Sequence, residues 1–296
     1  MNKKKVVIIS PTGMLGSMVY NVLKEKYNLV LVYRNKEHLK RLDKVYGDVE
    51  KHISIQFDIT NMYYEYEKSF PTEHTSSMLG QLVSKVGNAE AIINCAGIIK
   101  PFSAKNPSLT FFINSAFPHF LANIYKEKLI HITTDCVFSG IEGAPYDEQS
   151  PHSPNDLYGL SKELGEPFTQ SLVLRTSIIG PEIHGFVSLI SWLQRQKREV
   201  AGFTNLYWNG ITTKQFAVIC DEIISNRKKY PKDGLFHIFS SDVTKYEMLV
   251  KLQEKYKLQV LIKPVKVEKI DRRLRTIYDL NKSFEIPNFE DMIKIL

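Results

Sequence analysis

Apolar residues follow two rhythms along the first half of the chain. Short β-branched or aliphatic runs recur at 6–9, 29–33, 53–57, 91–94, 129–133 and 171–175. Between them, apolar positions repeat near helical spacing, as in Met14, Leu15, Met18, Val19, Val22 and Leu23. The first rhythm predicts buried strands and the second predicts helices. Helices are expected over 14–26, 37–46, 108–126 with a bend at Pro118, and 154–170. Nearly all-apolar strands alternating with helices predict a parallel sheet covered on both faces, a Rossmann-type doubly wound α/β fold. Ligands of such folds bind beyond the carboxyl ends of the strands. The stretch 61–88 is long for one crossover, and its pattern predicts no single element. After Arg175 the alternation loosens, with helices expected at 185–198, 213–229, 245–256 and 289–296 and a strand at 235–239.

Composition narrows the class. The chain has 296 residues, 43% hydrophobic and 24% charged, as an ordinary globular enzyme does. Its net charge is +7, but Lys and Arg are scattered among Asp and Glu with no basic arm. That weighs against nucleic acid as a partner and leaves an anionic small molecule. Three widely spaced cysteines, Cys95, Cys136 and Cys220, form neither a disulfide framework nor a zinc pattern. No metal site is expected, and a reduced, cytoplasmic setting follows. The apolar run after basic residues 1–5 is too short for a signal peptide, and membrane insertion is not expected.

The chemistry sits at the expected strand ends. Ser10-Pro11-Thr12-Gly13-Met14-Leu15-Gly16 follows the first strand and opens the first helix. That is the context of a dinucleotide-binding turn, with backbone close to a pyrophosphate and a helix N-terminus facing it. Ser10 stands where a first glycine is usual. After the second strand, Arg34 occupies the region where an NAD site places an acid; a guanidinium suits the 2′-phosphate of NADP. NADPH is therefore the expected cofactor, with NADH still open, and a solvated surface charge is the competing reading of Arg34. Asp58, with Ile59, reads either as an adenine contact or as a helix cap.

Tyr158 and Lys162 lie four apart on an expected helix and share a face. An ammonium near a phenol lowers its pKa, so the pair can exchange a proton with a carbonyl oxygen. Thr134, at the end of the fifth strand, can hydrogen-bond the same carbonyl and orient it. In isolation each of these also fits a bland surface pair or a turn residue. His119, His131 and His237 have no ligand spacing and read as structural.

The runs Thr133 to Phe138, Pro145-Tyr146-Asp147-Glu148, and Pro154 with Tyr158-Gly159-Leu160-Ser161-Lys162-Glu163-Leu164-Gly165-Glu166 together resemble the dTDP-4-dehydrorhamnose reductase family. So do Asn94-Cys95-Ala96-Gly97, Asn114 with Pro118-His119, Arg175-Thr176-Ser177, and the closing residues 286–293. The resemblance spans nearly the whole chain. It implies Thr134, Tyr158 and Lys162 as the catalytic trio. It implies cofactor contacts at Thr12, Gly13, Met14, Leu15, Cys95, Ala96 and Gly97, with Lys162 on the nicotinamide ribose and Ser177 and Ile178 near the ring. The family commonly has Tyr where this chain has Cys136, a residue that would face the sugar. Cys136, Val137, Trp208 and Arg273 are the candidate substrate contacts; Asp271-Arg272-Arg273-Leu274 could place a guanidinium on the sugar-nucleotide diphosphate or be a solvated charge run, and Trp208 also reads as lobe packing.

The expected organisation is a dinucleotide-binding domain over 1–175 that includes the catalytic helix, and a segment over 176–296 that completes the sheet and forms a small discontinuous substrate lobe. The expected activity is NADPH-preferring reduction of a nucleotide-activated 4-keto-6-deoxy sugar in surface-polysaccharide or deoxysugar biosynthesis. Two alternatives stand beside it: a non-catalytic NADP-binding regulatory subunit, and a sugar-nucleotide epimerase or dehydratase. A homodimer stays open.

Overall fold

The computed structural model describes residues 3–69 and 77–296. Met1, Asn2 and residues 70–76, within the unassigned stretch 61–88, lie outside the described residues.

The first unit runs β1 (Lys5–Ile9), α1 (Met14–Leu23), β2 (Asn28–Tyr33), α2 (Lys36–Tyr46), β3 (Ile53–Gln56), α3 (Ile59–Ser69), α4 (Ser77–Val86) and β4 (Ala91–Asn94). The flanks of the long crossover are thus helical. The chain continues through α5 (Lys100–Ser103), α6 (Pro107–Phe111), α7 (Phe117–Tyr125), β5 (Leu129–Thr134), α8 (Leu157–Glu163) and β6 (Leu172–Thr176). Beyond these come β7 (Ile178–Ile179), α9 (Leu189–Gln194), β8 (Glu199–Phe203), β9 (Leu206–Trp208), β10 (Ile211–Thr212), α10 (Thr213–Ser225) and β11 (Gly234–His237). The last elements are β12 (Val243–Thr244), α11 (Lys245–Tyr256), β13 (Leu261–Val265), β14 (Ile270–Asp271), α12 (Leu280–Ser283) and α13 (Phe289–Lys294).

Seven strands form the central sheet in the order β11-β6-β5-β4-β1-β2-β3. Every neighbouring pair is parallel. Alternate residues of one strand feed opposite faces, as the period of two requires. Val6, Ile8, Leu29 and Leu31 pack with α1 and α10 on one side, through Val19, Leu23 and Phe216. Val7, Ile9, Val30 and Val32 pack on the other with Met62, Leu82, Phe117 and Leu121. Each fully buried aliphatic side chain contributes about 1.5–3 kcal/mol relative to exposure, so the all-apolar strands define the doubly wound architecture. The strand order reverses between β1 and β4, which opens a crevice at their carboxyl ends.

Three helices are shorter or less regular than the sequence rhythm suggests. The stretch 154–170 is helical only over Leu157–Glu163. Asp156 caps it by accepting from Gly159 N at 2.8 Å, and Gly165 and Pro167 stop its far end. The stretch 185–198 is helical only over Leu189–Gln194, because the Ser188 hydroxyl caps it at Ser191 N. The stretch 108–126 is interrupted by a π-helical turn over Phe112–Ala116, just before Pro118. Pro118 has no N–H to return to the Asn114 carbonyl, so the α ladder fails there rather than simply bending. The parallel pair β8–β13 had no sequence signal, since Gly202, Lys263 and Pro264 interrupt any apolar run.

Candidate active site

The glycine turn is shaped for a phosphate. Ser10 holds a left-handed backbone, φ 62°, where a glycine would be unstrained. A Cβ on Gly16 would sit 2.1 Å from the Ser10 carbonyl, so α1 docks on the turn only because that side chain is absent. A Cβ on Gly13 would meet nothing nearer than 3.8 Å, leaving open space over the turn. α1 has no side-chain N-cap hydrogen bond and no acid in its first turn. Its leading N–H groups, Met14 and Leu15 among them, lack intrahelical acceptors and face that space with the positive end of the helix dipole. This cradle fits a dinucleotide pyrophosphate. Thr12 and Leu15 are buried, Leu15 within the core.

Across the crevice, Cys95, Ala96 and Gly97 follow β4. Asn94 fixes them by accepting from Ala96 N at 3.1 Å. Asn114, fully buried in the π turn, accepts from Ile98 N at 2.7 Å and donates to the Ile98 carbonyl at 2.9 Å and the Ser161 hydroxyl at 3.0 Å. It therefore ties this loop to α8. Arg34 is exposed just past β2, where Asn35 caps α2 by accepting from Glu37 N and His38 N. Asp58 is half-buried and accepts from Thr60 N at 2.9 Å, so its helix-capping role is realised; Ile59 packs against the second core cluster.

α8 lies hard against the end of β5. A Cβ on Gly159 would fall 2.2 Å from the Cys136 carbonyl. That contact sets Tyr158 beside Thr134 and buries Lys162 at 5% exposure. Lys162 Nζ donates to the Ile132 carbonyl at 2.8 Å, and burial pulls its ammonium down to about 8. The Thr134 hydroxyl donates to Asp135 Oδ1 at 3.2 Å and accepts from Cys136 N at 3.2 Å. Tyr158 does not carry the lowered pKa that the sequence spacing suggests. Burial pushes its phenol up, the nearby Cys136, Asp135 and Asp156 add to the rise, and the Thr134 hydrogen bond only partly opposes it. The phenol is thus held protonated, the form that donates a proton. Burial raises Asp135 as well.

Beyond Asp135 and Cys136 opens a cleft of about 290 Å³. Cys136, Ser177, Ile178 and Trp208 line it together. Trp208 also meets Phe289 edge-on at 5.6 Å, so packing and cleft-lining coexist in one ring. Two candidates do not reach the cleft wall. Val137 is 0% exposed and packs with Phe138, Tyr146 and Leu274. Arg273 is held in ion pairs by Asp271 and Asp242 and lies 4.9 Å over the Tyr207 ring. Its neighbour Arg272 lines the cleft instead. Residues with no role assigned from sequence also gather here: Asp135 and Lys245 in the cleft, and Asn114 behind it. Only the adjacency of Asp135 to Thr134 hinted at the first.

His119 meets the Leu164 carbonyl, His131 meets Asn94, and His237 meets Arg175 and the Arg275 carbonyl. Among the described residues no cluster of His, Cys, Asp and Glu is placed to hold a metal. No described helix is long and apolar enough to cross a membrane.

Fold and site together define a Rossmann-type α/β protein with a Tyr-x-x-x-Lys helix beside a dinucleotide turn. A family model described as the RmlD substrate binding domain matches residues 4–276, and the chain belongs to that family. It is 29% identical over 148 residues to the spore coat polysaccharide biosynthesis protein SpsK of Bacillus subtilis, covering 48% of this chain and 50% of that protein. It is 34% identical over 79 residues to a dTDP-4-dehydrorhamnose reductase of Streptomyces griseus, 25% of this chain and 26% of that one. The matched stretches therefore span half or less of these relatives. The crystal structure of a dTDP-4-dehydrorhamnose reductase from Bacillus anthracis in complex with NADP superposes with TM-score 0.71 at 20% identity, covering 99% of this chain and 98% of that one.

Proposed function

We propose that this chain is an NADPH-preferring reductase of a nucleotide-activated 4-keto-6-deoxy sugar, acting in the cytoplasm in deoxysugar or surface-polysaccharide biosynthesis. Residues 1–175 would bind the dinucleotide, and 176–296 would complete the sheet and hold the sugar nucleotide. The observation that carries this reading is the pairing of Tyr158 with Thr134 at the end of β5, with Lys162 one helical turn on and anchored to the Ile132 carbonyl. The similarity to the Streptomyces griseus dTDP-4-dehydrorhamnose reductase and the NADP of the Bacillus anthracis structure support the same class.

When bound, the nicotinamide supplies a hydride to the substrate carbonyl carbon. Thr134 orients the carbonyl by donating a hydrogen bond to its oxygen. Tyr158, held protonated by burial, gives its proton to that oxygen as the alcohol forms. Lys162, anchored by the Ile132 carbonyl, offers its remaining protons to the ribose and adds positive charge that eases proton loss from Tyr158. In the ligand-free chain that Thr134 proton rests on Asp135 Oδ1, a bond the substrate carbonyl replaces. Arg34 is the residue available to a 2′-phosphate.

Mixing the purified protein with NADPH and a dTDP-linked 4-keto-6-deoxy sugar tests the reading. Stoichiometric loss of nicotinamide absorbance and a reduced sugar by NMR are expected. Binding of NADPH without turnover on any keto-sugar nucleotide would instead mark a regulatory subunit. A tightly held cofactor that is never consumed would mark an epimerase or dehydratase.

A further inference from the structure

Lys245 is the first residue of α11, and its side chain lines the cleft that begins at Asp135 and Cys136. Its position is unfavourable for a cation on two counts. The N-terminus of a helix carries the positive end of the dipole, which repels an ammonium. Burial adds to this and pushes the Lys245 ammonium down to about 8, with no neighbouring charge offsetting the effect. The helix end does not need it, because Thr244 and Glu247 already form a complete capping box.

Nothing among the described residues balances this charge. Among the described residues no carboxylate lies within ion-pair distance of Lys245, and no hydrogen-bond acceptor meets its Nζ. Arg272 lines the same cleft and likewise has no carboxylate partner at ion-pair distance. Its guanidinium donates to the Phe138 carbonyl at 2.8 Å and to Asn155 Oδ1 at 3.5 Å. The acid of the cleft wall is Asp135, whose raised pKa shows that its own charge is disfavoured. Elsewhere Lys24 is paired with Asp48 at 2.6 Å and Arg175 with Glu166 at 2.6 Å, and Lys162, which has no carboxylate at ion-pair distance among the described residues, donates to the Ile132 carbonyl instead. The cleft thus concentrates two unpaired cations of different shape, a point charge and a planar fork, beside the aromatic faces of Tyr207 and Trp208.

We infer that Lys245, with Arg272 lining the same cleft, is a specificity-determining residue that binds the diphosphate of a nucleoside-diphosphate substrate. The inference rests on the sugar-nucleotide reading above and names the residue that would recognise the substrate's charge. The dinucleotide carries a diphosphate too, but the Gly13 cradle that suits it is separate from this cleft, none of whose lining residues belongs to residues 10–16. An internal salt bridge would have served stability better than a bare ammonium. The bare ammonium makes sense as a site whose counter-charge arrives with the ligand.

Calorimetric titration of the full chain with dTDP, UDP, thymidine, uridine and NADPH tests this, in the parent, Lys245→Met and Lys245→Arg. Lys245→Met should weaken both nucleoside diphosphates by about 30-fold or more. Nucleoside and NADPH binding should be unchanged, and Lys245→Arg should recover most of the diphosphate affinity. Lys245→Met should also raise the melting temperature of the ligand-free protein, since a half-buried charge without a partner is removed. Undiminished dTDP and UDP binding in Lys245→Met would overturn the inference. So would failure of the parent to bind either diphosphate, or a lowered melting temperature with equal losses for NADPH. Turnover separates the two levels. If keto-sugar nucleotides are reduced and Lys245→Met leaves KM unchanged, the subsite is wrong and the reductase reading stands. If no keto-sugar nucleotide is reduced while diphosphate binding depends on Lys245, the subsite stands and the reductase reading falls.

Discussion

Arg175 and Glu166 form an ion pair sealed beneath the catalytic strand, with Nη2 and Oε2 2.6 Å apart and side chains only 1% and 3% exposed. Arg175 also donates through Nε to Glu166, through Nη1 to His237 and through Nη2 to His152, and Thr133 donates to Glu166 Oε1 at 2.8 Å. The pair therefore joins β6, the end of α8 and the residue preceding Thr134. Removing one partner strands a buried charge. Glu166→Ala should cost about 3–5 kcal/mol by urea denaturation. Replacing both with apolar residues of similar volume should cost clearly less than the sum of the single changes. Additive losses would show that the charges do not depend on each other.

The two glycines of the turn should separate folding from binding. Gly16→Ala forces a Cβ into the Ser10 carbonyl and should lower stability by about 2 kcal/mol or more. Gly13→Ala meets no clash within the chain but fills the space above the leading N–H groups. It should leave the melting temperature nearly unchanged and abolish NADPH binding by fluorescence titration. Loss of NADPH binding from neither variant would place the dinucleotide elsewhere.

Cofactor preference should reside in Arg34. It is exposed and has no ion-pair partner among the described residues, so its replacement leaves the fold alone. Arg34→Ala should weaken NADPH by about 10-fold or more, the worth of a charged hydrogen bond to phosphate, and leave NADH affinity unchanged. Equal losses for both nucleotides would remove the 2′-phosphate role.

Much of this was legible in the sequence because local rules carried it. The runs 6–9 and 29–33 are apolar at every position that a two-sided sheet buries, and 129–133 departs only at His131 and Thr133, so few alternatives to β1, β2 and β5 existed. Tyr158 and Lys162 declare themselves by spacing alone. What stayed hidden depends on partners far along the chain. An Arg in a strand gives no sign that Glu166, His152 and His237 will enclose it. Asn114 reads as a polar helical residue until Pro118 breaks the ladder and α8 packs against the π turn. Choosing Arg273 over Arg272 for the cleft was not decidable from a run of like charges; the carboxylates of Asp271 and Asp242 decide it. The phenol of Tyr158 shifts upward rather than downward because burial, invisible in spacing, is joined by Cys136, Asp135 and Asp156 and exceeds the Thr134 hydrogen bond.

The buried Lys162 should mark the pH profile of stability. Its folded pKa of about 8 lies below its ordinary 10.5, so the folded chain binds fewer protons than the unfolded chain between those values. Stability from this group therefore rises with pH across that window, and the full penalty, about 3 kcal/mol, applies below it. Relative to the parent, Lys162→Met should be most favoured near pH 7, with its advantage shrinking by about 2 kcal/mol towards pH 10. Urea midpoints of both proteins at the two pH values check this, and parallel profiles would mean that Lys162 titrates normally.

The most direct measurement is single-turnover reduction of a dTDP-linked 4-keto-6-deoxy sugar by NADPH, in the parent and in Tyr158→Phe. Loss of the phenol proton should slow the chemical step by about 10²- to 10⁴-fold while NADPH affinity stays the same. An undiminished rate in Tyr158→Phe would contradict the assignment of Tyr158 as proton donor and, with it, the reductase mechanism built on the end of β5.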